Sequence, residues 1–346
     1  MNLKVLREFR WAELSVLCVV LLITSGWAQE TKEKVTVEDV DRSYMVRLPR
    51  GYDPQRHYPV VMLLHGMNQD VDDIERLTRF DELADKDGII AVYPAALHGR
   101  WNVGVRPKEQ RPMEMGPRRR RGGYGGGYPG GGYPGGGYPG GGGRYPGGGY
   151  PGGQRPTREP EEQRQATPAD DVAFFNQMLD QMESKFSVDA SRIYAVGLSE
   201  GGFMSLRLGC ALGDRIAAVL IDGTSDPVVP YGGGTEHNLS LATLSAEDSA
   251  KAWAKIDRCS EKPEKSKMPD HGKGSMETKV DTFNGCRENS QVTLYSVKGG
   301  GNTWPGGEQY EAENAVGKTD QGMNANEVLW EFFVTRKVSS QRSKTP

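Results

Sequence analysis

Histidine is scarce in this chain, with five in 346 residues. No Cys/His cluster has metal-ligand spacing, so no metal site is expected. No G-x-G-x-x-G turn and no P-loop opens a helix, which removes the common dinucleotide and nucleotide sites; no cofactor is expected. Long apolar runs are missing too. The run at residues 14–24 has 11 residues and is too short to span a bilayer. Hydrophobic residues make up only 36% of the chain, against 46 glycines and 21 prolines. Most of that glycine and proline sits in one block; the remainder has ordinary globular composition.

Residues 1–28 read as a secretory signal. Lys4, Arg7 and Arg10 form a basic start, the short apolar run follows, and Gly26-Trp27-Ala28 puts small residues where cleavage before Gln29 needs them. An uncleaved anchor is the alternative. The expected mature protein, 29–346, is a single soluble domain outside the cytoplasm, with no membrane contact once the signal is removed. It keeps Cys210, Cys259 and Cys286, and an odd count in an exported chain means one pair and one orphan. Cys259 and Cys286 flank a polar stretch without core residues of its own, which a bridge would staple. Cys210, in the helix after residue 199, is expected to be a small buried hydrophobe.

The block at 104–168 interrupts the domain. Tyr-Pro pairs recur among glycine runs at 128–129, 133–134 and 138–139, and Arg118 to Arg121 add a basic patch. The block carries a local charge of +6. Such a segment cannot bury a core and is expected to be disordered. Its two readings are a tolerated loop expansion, which closure entropy permits, and a surface for anionic polymer. Export argues against a nucleic-acid partner.

Elsewhere, strands and helices alternate. Residues 43–48 alternate as a strand. Residues 58–64 (YPVVMLL) form a continuous apolar run of the kind buried on both sheet faces. Helical spacing covers 71–86, 170–186, 201–212, 246–256 and 324–338. Further strands are expected at 88–93, 192–198, 215–221 and 291–297. The pattern predicts an α/β fold with a mostly parallel sheet covered on both faces.

Residues 197–201 read Gly-Leu-Ser-Glu-Gly between a buried strand and a helix, the context that gives a G-x-S-x-G match its meaning. Ser199 is then the nucleophile. The N–H of Glu200 faces the oxyanion, and a second donor is expected from His65-Gly66-Met67, at the N–H of Met67. Asp226, in a loop after a strand, is the candidate acid, with Asp222 competing; either could be a turn aspartate.

On these motifs the chain resembles the secreted esterases of the polyhydroxybutyrate depolymerase, feruloyl esterase and acetylxylan esterase type. The matching stretches are RSYMVRLPRGYDP, PVVMLLHG, GIIAVYP, WN at 101–102, DDVAFF, SRIYAVGLSEGGFMSLRL, DGTSDPVVPYGGG and GGGNTWPGG. The resemblance implies an α/β-hydrolase fold and a carboxylic ester or ester polymer as substrate. It also implies Ser199 as nucleophile, Asp226 as acid, Trp304 in the site wall and a Cys259–Cys286 disulfide. Three departures stand out. The family pattern GGGHTWPGG has Asn302 in place of its histidine, which removes the general base, since an amide cannot take a serine proton near neutral pH. Residues 216–221 run straight into Asp222-Gly223 where the family has two strand regions, so either the sheet is a strand short or the acid follows the sixth strand. Glu200 brings a negative charge to the residue beside the nucleophile. His237 and His271 are the histidines that could replace the base. The expected function is an impaired serine esterase, or a non-catalytic binding protein on the same scaffold.

Overall fold

The computed structural model describes residues 28–104, 169–213, 215–218, 220–236, 241–269, 272, 274–287 and 290–335. For 217–222, 235–236 and 241–242 only the backbone is described. The signal reading for 1–27 and the glycine block at 105–168 lie outside the described residues, as do His237 and His271.

The chain opens on an antiparallel pair, β1 (Gln29–Val37) and β2 (Val40–Leu48), joined through Glu38 and Asp39, both at positive φ. β3 (Tyr58–Leu64) follows and is buried along its whole length. The helical stretch expected over 71–86 is broken into α1 (Val71–Thr78) and α2 (Phe80–Asp87) by Arg79, at φ 49°. α1 starts with a capping box, Asp70 accepting from Asp73 N and Asp73 accepting from Asp70 N. β4 (Ile90–Pro94) precedes the long insertion, and α3 (Asp171–Lys185) resumes after it, capped by Asp170. β5 (Val188–Gly197) leads into α4 (Glu200–Ala211).

Six strands pair in the order β1-β2-β4-β3-β5-β6, where β6 is Ala217–Ala218. The β4, β3, β5 and β6 pairings are parallel, and β1 and β2 form an antiparallel edge. Side chains alternate across this sheet. Val60, Met62 and Leu64 pack with Phe174, Phe175 and Met178 of α3 and Met204 and Leu208 of α4. Val61 and Leu63 pack on the other side with Ile74, Phe80 and Leu83 of α1 and α2, and with Leu329 and Phe333 of α7 (Ala325–Val334). Helices therefore cover both faces, which defines an α/β fold of the expected layering.

The single strand expected over 215–221 is divided. Ala217 and Ala218 pair with β5, while β7 (Leu220–Gly223) pairs in parallel with β12 (Val292–Val297). One short run thus serves two sheets, where a single strand was expected. The second sheet has the order β10-β11-β12-β7, with β10 at Glu264–Lys267 and β11 at Thr278–Phe283. A small hairpin of β8 (Gly234–Glu236) and β9 (Leu241–Thr243) precedes α5 (Ala246–Ile256), and α6 (Glu313–Val316) precedes α7. Cys259 and Cys286 are bonded. Cys210 is a free thiol but is exposed; it lies on the outer side of α4, away from the Met204 and Leu208 face, so the expected burial is wrong.

Candidate active site

β5 runs directly into Ser199, which sits at φ 55°, ψ −121° with α4 starting at the next residue. That conformation is strained for a residue with a side chain. It is held by two close backbone approaches. A Cβ on Gly197 would come 2.3 Å from Gly201 C, and one on Gly201 would come 2.2 Å from Leu64 O. Glycine at both positions is what lets the turn be this tight. Ser199 makes no side-chain cap to its own helix, and the α4 N-terminus, with its partial positive charge, starts beside it.

The loop after β3 carries His65, Gly66 and Met67. Gln69 Oε1 accepts from Gly66 N at 2.8 Å, and Asn68 N donates to Gly99 O at 2.9 Å. Among the described residues neither Glu200 N nor Met67 N has a hydrogen-bond acceptor. His65 is fully engaged: its Nε2 accepts from Ala96 N at 3.1 Å, so its Nδ1 donates to Gly66 O at 2.8 Å. Burial pushes its pKa down, keeping the ring neutral. The Glu200 carboxylate is 2% exposed and turns onto the 100–101 segment. It accepts from Arg100 Nε at 3.0 Å and from Trp101 N at 3.1 Å. Trp101 Nε1 in turn donates to His65 O at 2.9 Å. The charge beside Ser199 is therefore matched by an arginine, and it ties the elbow to the loop holding Met67.

The other wall is built where β7 and β12 end side by side. Thr224 N donates to Val297 O and Ser225 N to Gly300 O, both at 2.9 Å. Asp226 follows. Its Oδ1 accepts from Val228 N and Val229 N, each at 2.7 Å. Its Oδ2 accepts from Asn302 Nδ2 at 2.8 Å. Asn302 is 4% exposed, and its backbone N donates to Val316 O at 2.6 Å. Tyr310 Oη donates to Asn302 O at 3.0 Å and approaches Asn302 Oδ1 at 3.4 Å. Burial first, then the Asp226 charge, push the Tyr310 phenol up to about 12, so it remains a donor. Sequence reasoning missed Tyr310 and Arg100; neither lies in a motif, and each reaches the site through folding alone.

Ser199, Asp226, Asn302 and Trp304 line one cavity of about 90 Å³, with Phe203, Leu206, Val229 and Val297 as apolar wall. Trp304 is fixed by Nε1 donating to Asn326 Oδ1 at 2.9 Å. Asp226, not Asp222, is the aspartate bonded to residue 302; the Asp222 side chain lies outside the described residues. No histidine among the described residues lines this cavity. The only grouping with metal-like donor spacing among them, Glu30, Glu75 and Asp81, is elsewhere and surrounds the Arg47 guanidinium.

No family model matches the chain. It is 22% identical to the "Putative esterase NocK" of Nocardia uniformis subsp. tsuyamanensis over 346 aligned positions, covering 89% of this chain and 83% of that protein. It is 31% identical over 164 positions to feruloyl esterase B of Piromyces equi, covering 39% of this chain and 29% of the relative. The chain thus spans less than a third of that enzyme's length. A structural match is to the acetyl xylan esterase from Aspergillus awamori, at 12% identity and a TM-score of 0.48, covering 88% of this chain and 99% of that one. The chain is thus similar in sequence to proteins described as esterases. Among the described residues no helix is long and apolar enough to cross a membrane.

Proposed function

We propose that this protein is a secreted serine-type carboxylic ester hydrolase whose turnover is curtailed because Asn302 stands in the position of the general base. The observation that carries this reading is the 2.8 Å bond from Asn302 Nδ2 to Asp226 Oδ2 inside the cavity that Ser199 lines. In an intact triad the aspartate orients an imidazole, which accepts the serine proton and later returns it to the leaving group. Here Asp226 orients an amide that has no basic lone pair to offer. Ser199 keeps its half-buried turn, the α4 N-terminus and the N–H groups of Glu200 and Met67, which supply the oxyanion contacts. The Ser199 proton has no strong acceptor, so both acylation and the return of the proton are slow. What remains is on the order of 10³ to 10⁴ over water, the residue left when one triad member is lost.

Its substrate class is a carboxylic ester of a polyester or plant polysaccharide, by analogy with the relatives. A second reading, a non-catalytic binder, is favoured by the Asn302 amide itself, which offers the cavity a donor where an enzyme needs an acceptor. Labelling with a fluorophosphonate serine probe tests the nucleophile. Slow labelling at Ser199 in the wild type, fast labelling in Asn302→His and none in Ser199→Ala supports the esterase reading. Absence of labelling in both of the first two contradicts it.

A further inference from the structure

Asp320 is 1% exposed and lines the cavity together with Ser199, Asp226 and Trp304. Its backbone O accepts from Gly306 N at 2.7 Å, which fixes it to the loop that carries Trp304. Its Oδ1 accepts from Met276 N at 3.1 Å and from Gly322 N at 2.9 Å. Its Oδ2 is buried and has no hydrogen-bond partner among the described residues. Buried carboxylates are ordinarily paired with a cation or bound to a metal. Here both donors are uncharged amides, and among the described residues Asp320 belongs to no group of three donors with metal-like spacing.

The rest of the lining does not supply the missing charge. No lysine, arginine or histidine among the described residues lines the cavity. Asn302 is an uncharged amide, and Asp226, held by Val228 N, Val229 N and Asn302 Nδ2, is a second carboxylate. A cleft lined by one sign of charge, with low-dielectric walls, focuses its field on whatever enters. A hydroxyl group could offer Asp320 a hydrogen bond but no charge. A carboxylate would be repelled. We propose that Asp320 is a specificity-determining residue that makes this cavity select a ligand carrying an ammonium group, an ester with a protonated amine on its acyl or alcohol part. Only the ester bond of that ligand rests on the esterase reading; the charge preference is a property of the cavity and needs no turnover. The apolar wall of Phe203, Leu206, Val229 and Trp304 takes the hydrocarbon part.

Benzylamine, benzyl alcohol and benzoate are close in size and differ in charge, so calorimetric titration of the full wild-type chain with each at pH 7 tests this. The expected result is benzylamine at least about tenfold tighter than benzyl alcohol, with benzoate the weakest of the three. Asp320→Asn keeps an oxygen for Met276 N and Gly322 N and removes the charge; it is expected to bind benzylamine and benzyl alcohol alike. Equal binding of these two by the wild type would make the missing partner a hydroxyl or a water, and overturns the proposal whether or not the variant folds. Benzoate binding as tightly as benzylamine, or a benzylamine preference that survives in folded Asp320→Asn, overturns it as well. Hydrolysis of p-nitrophenyl butyrate by Asn302→His is measured in parallel. If that variant is active while benzylamine shows no preference, this proposal falls and the esterase reading stands. If benzylamine is preferred as expected and Asn302→His is inert, the esterase reading falls and the charge preference stands.

Discussion

The side chain of Glu200 shows how much one residue beside Ser199 can organise. Its carboxylate is buried, yet Arg100, its charged partner, is 46% exposed. Solvent screens that ion pair, so the Coulomb part is small. The bond from Trp101 N is different, because the amide is buried and has no other acceptor. Glu200→Ala should lower stability by about 1.5–3 kcal/mol, the range for buried hydrogen bonds to charged groups, read as a lower urea midpoint at unchanged slope. An unchanged midpoint would mean that water replaces the carboxylate at no cost. Ser199, Asp226 and Asn302 were legible in the sequence because each lies in a short motif whose chemistry depends on neighbours. Tyr310, Arg100 and the turning of Glu200 toward residue 101 were not. Glu200 meets its partners a hundred residues away, and Tyr310 meets Asn302 across a loop whose path no periodicity encodes.

Elements tell the same story at larger size. Residues 58–64 and 246–256 match their predicted bounds because a fully apolar run and an amphipathic repeat each specify one kind of element. The break at Arg79 was invisible because Leu77, Phe80 and Leu83 all return to one core face, so the apolar spacing continues through it. The division of 215–221 was invisible for another reason: an apolar run specifies a strand but not its partner. β10, exposed at every position, has no apolar pattern to read. The β10–β11 region hangs on the disulfide, whose cysteines are 27 residues apart. Replacing both by serine should cost about 3.5 kcal/mol on a chain-entropy estimate, seen as a lower melting temperature that reductant no longer shifts. A second element-level prediction concerns Glu75 on α1. Burial, then its hydrogen bond and charge contact with Asp81, push its pKa up to about 7. A carboxyl raised in the folded state stabilises it fully below the unfolded pKa, about 4.3, and that stabilisation is lost as pH rises through about 7. Glu75→Gln should therefore gain stability relative to wild type at pH 8 and gain little at pH 4. A gain that is the same at both pH values would contradict the assignment.

For the whole molecule, the insertion at 104–168 enters and leaves the domain at one place. Asn102 Nδ2 donates to Ala169 O at 2.8 Å, and Asn102 N donates to Asp171 Oδ2 at 2.6 Å. Asp171 is itself buried against Arg42. Because the folded domain pins both ends, deleting residues 117–158 should move the melting temperature by no more than about a few degrees. Loss of cooperative unfolding in calorimetry would show that the block contributes to the core. The proposed function rests on Asn302, an amide without a basic nitrogen, standing in the cavity of Ser199 and Asp226 where a general base is expected. Its most direct test is kcat/KM on p-nitrophenyl butyrate for wild type and Asn302→His, measured from pH 5 to pH 9. The account predicts that the histidine variant exceeds wild type by at least about a hundredfold at pH 8, with a rise through the imidazole range near 6.5 that wild type lacks. Equal rates in the two proteins, or a wild type that already shows that rise, would mean another base serves Ser199, and the central claim would fail.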